Sequence, residues 1–246
     1  MRIRTVMMAS CFILSMTQTA ASAAYNIEDK AEELRQEHGG GIFHMFMLET
    51  DYGRNDDGSV ASWDWEGWVG TDENKLWLKS EGELSDGKLE EAEIWGLYSR
   101  NVATFWDAQV GLRYDMKPDP LAYLTLGFTG LAPYFFETEA HLFISENGDL
   151  TGRIRQENDF LLTQKLVLQP YAEANLSAQE VPEQEIGAGL ADAKIGLQTR
   201  YEITRKFAPY VDVHYGRKFG ETSAIAKSNG EEDDELVGSV GLRLMF

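Results

Sequence analysis

The chain reads as all-β: an antiparallel transmembrane β-barrel of about twelve strands with a short N-terminal periplasmic segment. Three observations predict it. Apolar and polar residues alternate with period two from about residue 42 to the end. Long polar connectors alternate with tight ones. The N-terminus has the form of an export signal.

The alternation is clearest in "VATFWDAQVGLRYD" (102–115). Val102, Thr104, Trp106, Ala108, Val110, Leu112 and Tyr114 share one face, against Asp107, Gln109, Arg113 and Asp115 on the other. An apolar face with aromatics near its ends suits a lipid-facing strand whose rings sit at the two membrane interfaces. Similar stretches fall at about 42–52, 60–70, 74–84, 89–100, 121–131, 134–145, 150–162, 166–177, 188–203, 207–218 and 236–246. The connectors "RNDDGS", "SDGK", "KPDP", "ENGD", "SAQEVPEQE" and "ETSAIAKSNGEEDDE" are polar, and the last two are long. Those between them, "GTDE", "RN", "LAP", "TQK" and "TRK", are tight. This asymmetry marks outer-membrane barrels, and an even strand count puts both strand termini on the periplasmic side. The last strand ends on Phe246, the form of terminal signature read by barrel-assembly machinery.

Arg2 and Arg4 precede a short apolar run, Met7 to Met16, and Ala21-Ser22-Ala23 has the small-x-small form of a cleavage site. The run is too short to span a bilayer. Residues 1–23 are therefore expected to be a signal peptide, 24–41 a flexible periplasmic segment and 42–246 the barrel, in the bacterial outer membrane. The single cysteine, Cys11, leaves with the signal, since too few apolar residues precede "MASC" for a lipobox. The mature chain then has neither disulfides nor thiolate metal ligands.

Loss of Arg2 and Arg4 takes the formal charge from −19 to −21. Such a chain has few cations to replace counterions on phosphates, so nucleic acid is excluded as a partner. The acids suit a cavity that attracts cations, or simply loops kept in water.

Enzyme templates are missing. No His is followed two residues later by Ser, the spacing that puts both on one strand face. Neither Gly-x-Ser-x-Gly nor His-Glu-x-x-His occurs. Glu137 and Glu139 share an inward face, where carboxylates usually belong to hydrated lumen surface. The reading is of a protein that is not an enzyme.

The mature chain carries four histidines (His38, His44, His141, His214) and four methionines (Met45, Met47, Met116, Met245). Thioether favours Cu(I), and imidazole suits copper in either state. Parity puts His141 inward with Glu137 and Glu139, and His214 inward with Tyr210 and Asp212. Each alone is more often a hydrogen-bonding lumen residue than a ligand. In "GIFHMFML" (41–48), Met45 and Met47 share a face with Glu49 and Asp51 and point inward, toward the expected level of His214. His44 points outward. The acidic run "GEEDDE" (230–235) lacks EF-hand spacing and reads as a solvated loop.

The segments "WVGTDENKLWLKSEGE" (68–83), "AEIWGLYSRNVATFWDAQVGLRYD" (92–115), "LTLGFTGLAPYFFETEA" (124–140), "LLTQKLVLQP" (161–170) and "RYEITRKFAPYV" (200–211) resemble the copper resistance protein B family of bacterial outer-membrane proteins. "LYSRN" and "GLAPYFFE" are its most specific parts. The resemblance implies a barrel in outer-membrane lipid, here expected to be a monomer. It would bind copper, as Cu(I) or Cu(II), and support copper resistance by sequestration or export, alongside a periplasmic copper-binding partner. Family members often carry an N-terminal region rich in Met and His; here residues 24–41 hold only His38 and no Met. A site is therefore expected in the barrel or its mouth, with Met45, Met47, His141 and His214 as metal ligands and Glu137, Glu139 and Asp212 as outer or weak oxygen partners. The alternative is a non-selective channel or structural barrel without a specific metal site.

Overall fold

In the computed structural model, which describes residues 41–55 and 58–246, the alternating stretches form strands that close on themselves. β1 (Phe43–Arg54), β2 (Ser59–Gly70), β3 (Asn74–Ser85) and β4 (Lys88–Ala103) are followed by β5 (Trp106–Lys117), β6 (Leu121–Ala132) and β7 (Phe136–Ser145). β8 (Leu150–Glu157) and the two-residue β9 (Phe160–Leu161) lead to β10 (Leu166–Ser177), β11 (Gly189–Tyr201), β12 (Phe207–Lys218) and β13 (Asp234–Met245). β8 and β9 pair in turn with β10 and fill one place in the sheet, giving twelve strand positions. β13 closes on β1, with Met47 opposite Met245 and Arg54 opposite Gly238. All pairings are antiparallel. The expected signal peptide (1–23) and, apart from Gly41, the N-terminal segment (24–41) lie outside the described residues.

Closure suits a membrane because it leaves no strand edge to present unpaired backbone groups to lipid. Among the described residues no helix is long and apolar enough to cross a bilayer. The two faces divide as the parity predicts. On β5, Leu112 is 67% exposed on the outer wall, whereas Asp115, three residues on, is 1% exposed in the lumen. An arginine or lysine on the outer face would cost about 2–4 kcal/mol at the bilayer midplane, and an acidic residue less.

The short connections, 71–73, 104–105, 133–135, 162–165 and 202–206, share one end with the start of β1 and the end of β13. By the rule for such barrels this end is periplasmic. At the other end Asp86 and Gly87 make the β3–β4 turn with φ of 48° and 76°. This is the conformation for which Asp-Gly is suited.

Three sequence expectations need correction. The β4–β5 turn is not at "RN" but at Thr104-Phe105, and Val102 belongs to β4. Asn101 braces it by donating from Nδ2 to the carbonyls of Ala103 and Trp106, at 3.1 and 3.2 Å. The stretch 150–162 is broken between β8 and β9, where Asn158 donates to the Tyr134 carbonyl at 3.0 Å. The connector expected across 221–235 contains most of a helix, α1 (Gly220–Asn229), which ends on Gly230 at φ 85°, and the connector's last two residues, Asp234 and Glu235, open β13. α1 lacks a side-chain N-cap, so tertiary bonds to loop 178–188 support it. Gly187 N–H donates to Thr222 Oγ1 at 3.0 Å, and Ala188 N–H to Glu221 Oε2 at 3.1 Å. That loop places Val181 in a buried apolar cluster with Trp95, Leu97, Leu121, Tyr123 and Phe143.

Candidate functional site

The inward residues form successive rungs down the lumen. Met45 and Met47 lie near the periplasmic end of β1, inside the barrel as expected. The next inward residue, Glu49, is ion-paired with Arg243 of β13 and accepts from Gln198 Nε2 at 3.2 Å. Asp51 follows, accepting from Ser62 Oγ at 2.8 Å and Tyr210 Oη at 3.0 Å.

Ion pairs cross the middle of the lumen. Lys79 on β3 reaches Glu139 on β7 at 2.6 and 2.8 Å, and Glu66 on β2 at 3.3 Å. Arg153 on β8 reaches Glu93 on β4 at 2.9 Å and Glu81 on β3 at 3.3 Å. Arg113 holds Glu93 and Asp115, each at 2.6 Å. The Lys79–Glu139, Arg153–Glu93 and Arg153–Glu81 bonds join strands that are not neighbours in the sheet, so they reach across the lumen. Glu139, expected as an oxygen ligand, is thus committed to Lys79. Glu137 sits at the periplasmic rim and is exposed.

His141 is inward and 3% exposed. Its Nε2 lies 2.8 Å from Gln109 Oε1, and its ring is edge-on to Trp95 at 5.2 Å and stacked on Phe143 at 6.2 Å. The absence of a side chain at Gly127 makes room: a Cβ there would fall 2.2 Å from His141 Cδ2.

His214 on β12 is also inward, but differently engaged. Its Nδ1 lies 2.8 Å from Asp212 Oδ2. A carboxylate oxygen accepts, so Nδ1 carries a proton, and in the neutral imidazole the lone pair is then on Nε2. Tyr171 Oη donates to the same Oδ2 at 3.1 Å. His214 Nε2 is buried and bonded to no described residue, as are Asp212 Oδ1 and Ser239 Oγ. Ser239 is the register partner of Asp212 on β13. Three orphaned polar atoms on adjoining strands would each carry a desolvation cost of about 1–3 kcal/mol. A bound cation or polar ligand would relieve it, and a carboxylate on the far imidazole nitrogen is the usual support for a metal-binding histidine.

The expected methionines and His214 do not come together. Met47 faces Met245 across the seam, whereas His214 lies against Val237, eight residues back along β13. Those eight residues span about 27 Å, so the methionines are not at the level of His214. Among the described residues no group of three or more His, Cys, Asp or Glu forms a preassembled cage. Sequence reasoning placed Asp212 beside His214 but missed Ser239 and Met245. Register across the closing pair reveals both, and closure is not written in any single segment.

A closed, lipid-facing barrel with a charged lumen defines the class: this is an outer-membrane β-barrel protein. Solved barrels share the fold. A NanC porin matches with TM-score 0.57 at 11% identity, over 80% of this chain and 98% of its own. A KdgM porin matches with TM-score 0.53 at 10% identity, over 81% and 99%. The family model of the copper resistance protein B precursor matches residues 42–246, and the chain belongs to that family. It is 39% identical to copper resistance protein B of Escherichia coli, over 85% of this chain and 71% of that one. It is 38% identical to a copper resistance protein B homolog of Pseudomonas syringae pv. tomato, over 86% and 72%. Membership supports a role in copper resistance at the outer membrane.

Proposed function

We propose that the barrel binds copper directly in its lumen and supports copper resistance by holding or passing the ion, without catalysis. The observation that carries this reading is His214: one ring nitrogen is fixed by Asp212, and the other is buried and unpartnered. Imidazole with carboxylate and hydroxyl oxygen suits Cu(II). Two or three donors make an open, exchangeable site, as a cargo ion requires. Met45, Met47 and His141 are further candidates; of these, His141 already has a ring nitrogen held by Gln109. The protein acts as a monomer in outer-membrane lipid and exchanges copper with a periplasmic copper-binding partner.

The experiment is copper titration of the detergent-purified barrel, paired with copper tolerance of a deletion strain complemented by each variant. His214→Ala is expected to lower copper affinity and tolerance more than His141→Ala. Equal copper binding by wild type and the double variant His141→Ala/His214→Ala would overturn the site. A copper-independent conductance in planar bilayers, with tolerance unaffected by deletion, would favour a general channel instead; the cross-lumen ion pairs argue against it.

A further inference from the structure

Four methionines fall among the described residues, and three of them lie on the two strands that close the barrel. Met47 on β1 is the register partner of Met245 on β13. Met45 lies one inward step nearer the periplasmic end. The Glu49–Arg243 pair occupies the next inward rung of the same two strands, which fixes the lumen as the face all three methionines share. The fourth, Met116, is 41% exposed on the outer wall.

Directly opposed residues have Cβ atoms about 4.5–5.5 Å apart, and residues two apart on one strand are separated by about 7 Å. Three unbranched side chains, each with three rotatable bonds and a terminal thioether, can converge on one ion from such positions. A leucine would wall the lumen as well, so apolar filling does not call for sulfur here. Thioethers are soft and uncharged. They bind monovalent copper and leave the divalent ion to imidazole and carboxylate.

We propose that Met45, Met47 and Met245 form a Cu(I) site at the periplasmic end of the seam, separate from the nitrogen–oxygen set at Asp212, His214 and Ser239. This rests on the copper reading above and adds to it the oxidation state and the place where a reduced ion is held.

The test uses the full barrel in detergent. Ag(I), a redox-inert probe, and Cu(I) under reducing conditions are titrated against a competing chelator, with Cu(II) followed in parallel by electron paramagnetic resonance. The variant is the triple Met45→Leu/Met47→Leu/Met245→Leu, which keeps bulk and apolarity, with heat-modifiable gel mobility confirming that it folds. Wild type is expected to bind Ag(I) and Cu(I), with sulfur neighbours in the copper X-ray absorption spectrum. The leucine variant should lose at least about tenfold in affinity, since even supporting partners of a metal site cost 10–100-fold. Its Cu(II) signal should stay unchanged, and His214→Ala should show the converse. Undiminished Ag(I) and Cu(I) affinity in the folded leucine variant would overturn the seam site. So would Cu(II) binding by a wild type that binds neither monovalent ion, and this outcome leaves the copper reading standing. If the wild type binds neither oxidation state, both proposals fall.

Discussion

Asp212 and His214, two residues apart on β12, turn their side chains into the lumen and share a hydrogen bond of 2.8 Å from Nδ1 to Oδ2. Period-two geometry makes the pair, because residues i and i+2 of a strand share a face. The bond fixes the imidazole tautomer and aims Nε2 away from its own strand. Asp212→Asn keeps the shape but offers a neutral group whose NH2 end cannot accept. It is expected to weaken Cu(II) affinity by about 10–100-fold, and His214→Ala to remove the site. Cu(II) titration followed by electron paramagnetic resonance checks both; an unchanged affinity in the asparagine variant would separate the aspartate from metal binding.

The bridge between Arg153 and Glu93 has side chains only 16% and 11% exposed, so neither charge is well solvated without the other. Removing one partner leaves an uncompensated charge, which costs about 3–5 kcal/mol in a buried pair. Arg153→Met should therefore destabilise the barrel by about 3 kcal/mol, the lower end of that range, because a lumen admits some water. The same change removes bonds to Glu81 and Glu93 that cross the passage, so single-channel conductance should rise. Urea unfolding in detergent and planar-bilayer recording read the two effects separately. Unaltered conductance would show that these ion pairs do not obstruct the lumen.

Gly127→Ala tests whether His141 is a packing residue. The added Cβ would lie 2.2 Å from the imidazole and 2.7 Å from the Ala140 carbonyl oxygen, and the latter is backbone that cannot swing aside. The ring must leave Gln109 and its contacts with Trp95 and Phe143. Overpacking of this kind costs about 1–3 kcal/mol. The urea midpoint is expected to fall while Cu(II) affinity at His214 is kept. A parallel loss of copper binding would bring His141 into the metal site.

Much of this barrel is legible in the sequence because one face must meet lipid and the other ions and water. Leu112 and Asp115 could not exchange faces without placing a charge in hydrocarbon. The Asp-Gly of the β3–β4 turn is equally readable, since its residue types fit its backbone. Thr104-Phe105 is not: Phe105 adopts φ 65°, which no local rule assigns to a bulky aromatic. α1 is not legible either: its polar sequence has neither a capping side chain nor an apolar stripe, and bonds to distant residues support it. The site was half legible for the same reason. Parity shows which way His141, His214, Met45 and Met47 point, but only register across the closing strands shows that the methionines and His214 lie at different levels.

At the extracellular end Asp233 accepts from Lys227 Nζ at 2.7 Å and from Ser223 Oγ at 2.8 Å, tying the loop after α1 to the helix itself. The Lys227 bond first, and the Ser223 bond second, hold this carboxyl below the ordinary aspartate range. A depressed folded pKa means that the contact stabilises fully above the unfolded value, about 3.9, and that its contribution is lost as pH falls through the folded value. α1 in turn braces loop 178–188, whose Val181 is buried in the apolar cluster. Amide exchange across 220–229, corrected for intrinsic rates, should therefore show constant protection from pH 7 to about 5 and a loss below about 4. Asp233→Asn should abolish the acid step and lower protection at neutral pH. An acid step that persists in the asparagine variant would move the anchor to another carboxylate, Glu221 being next to test through its bond to Ala188 N–H.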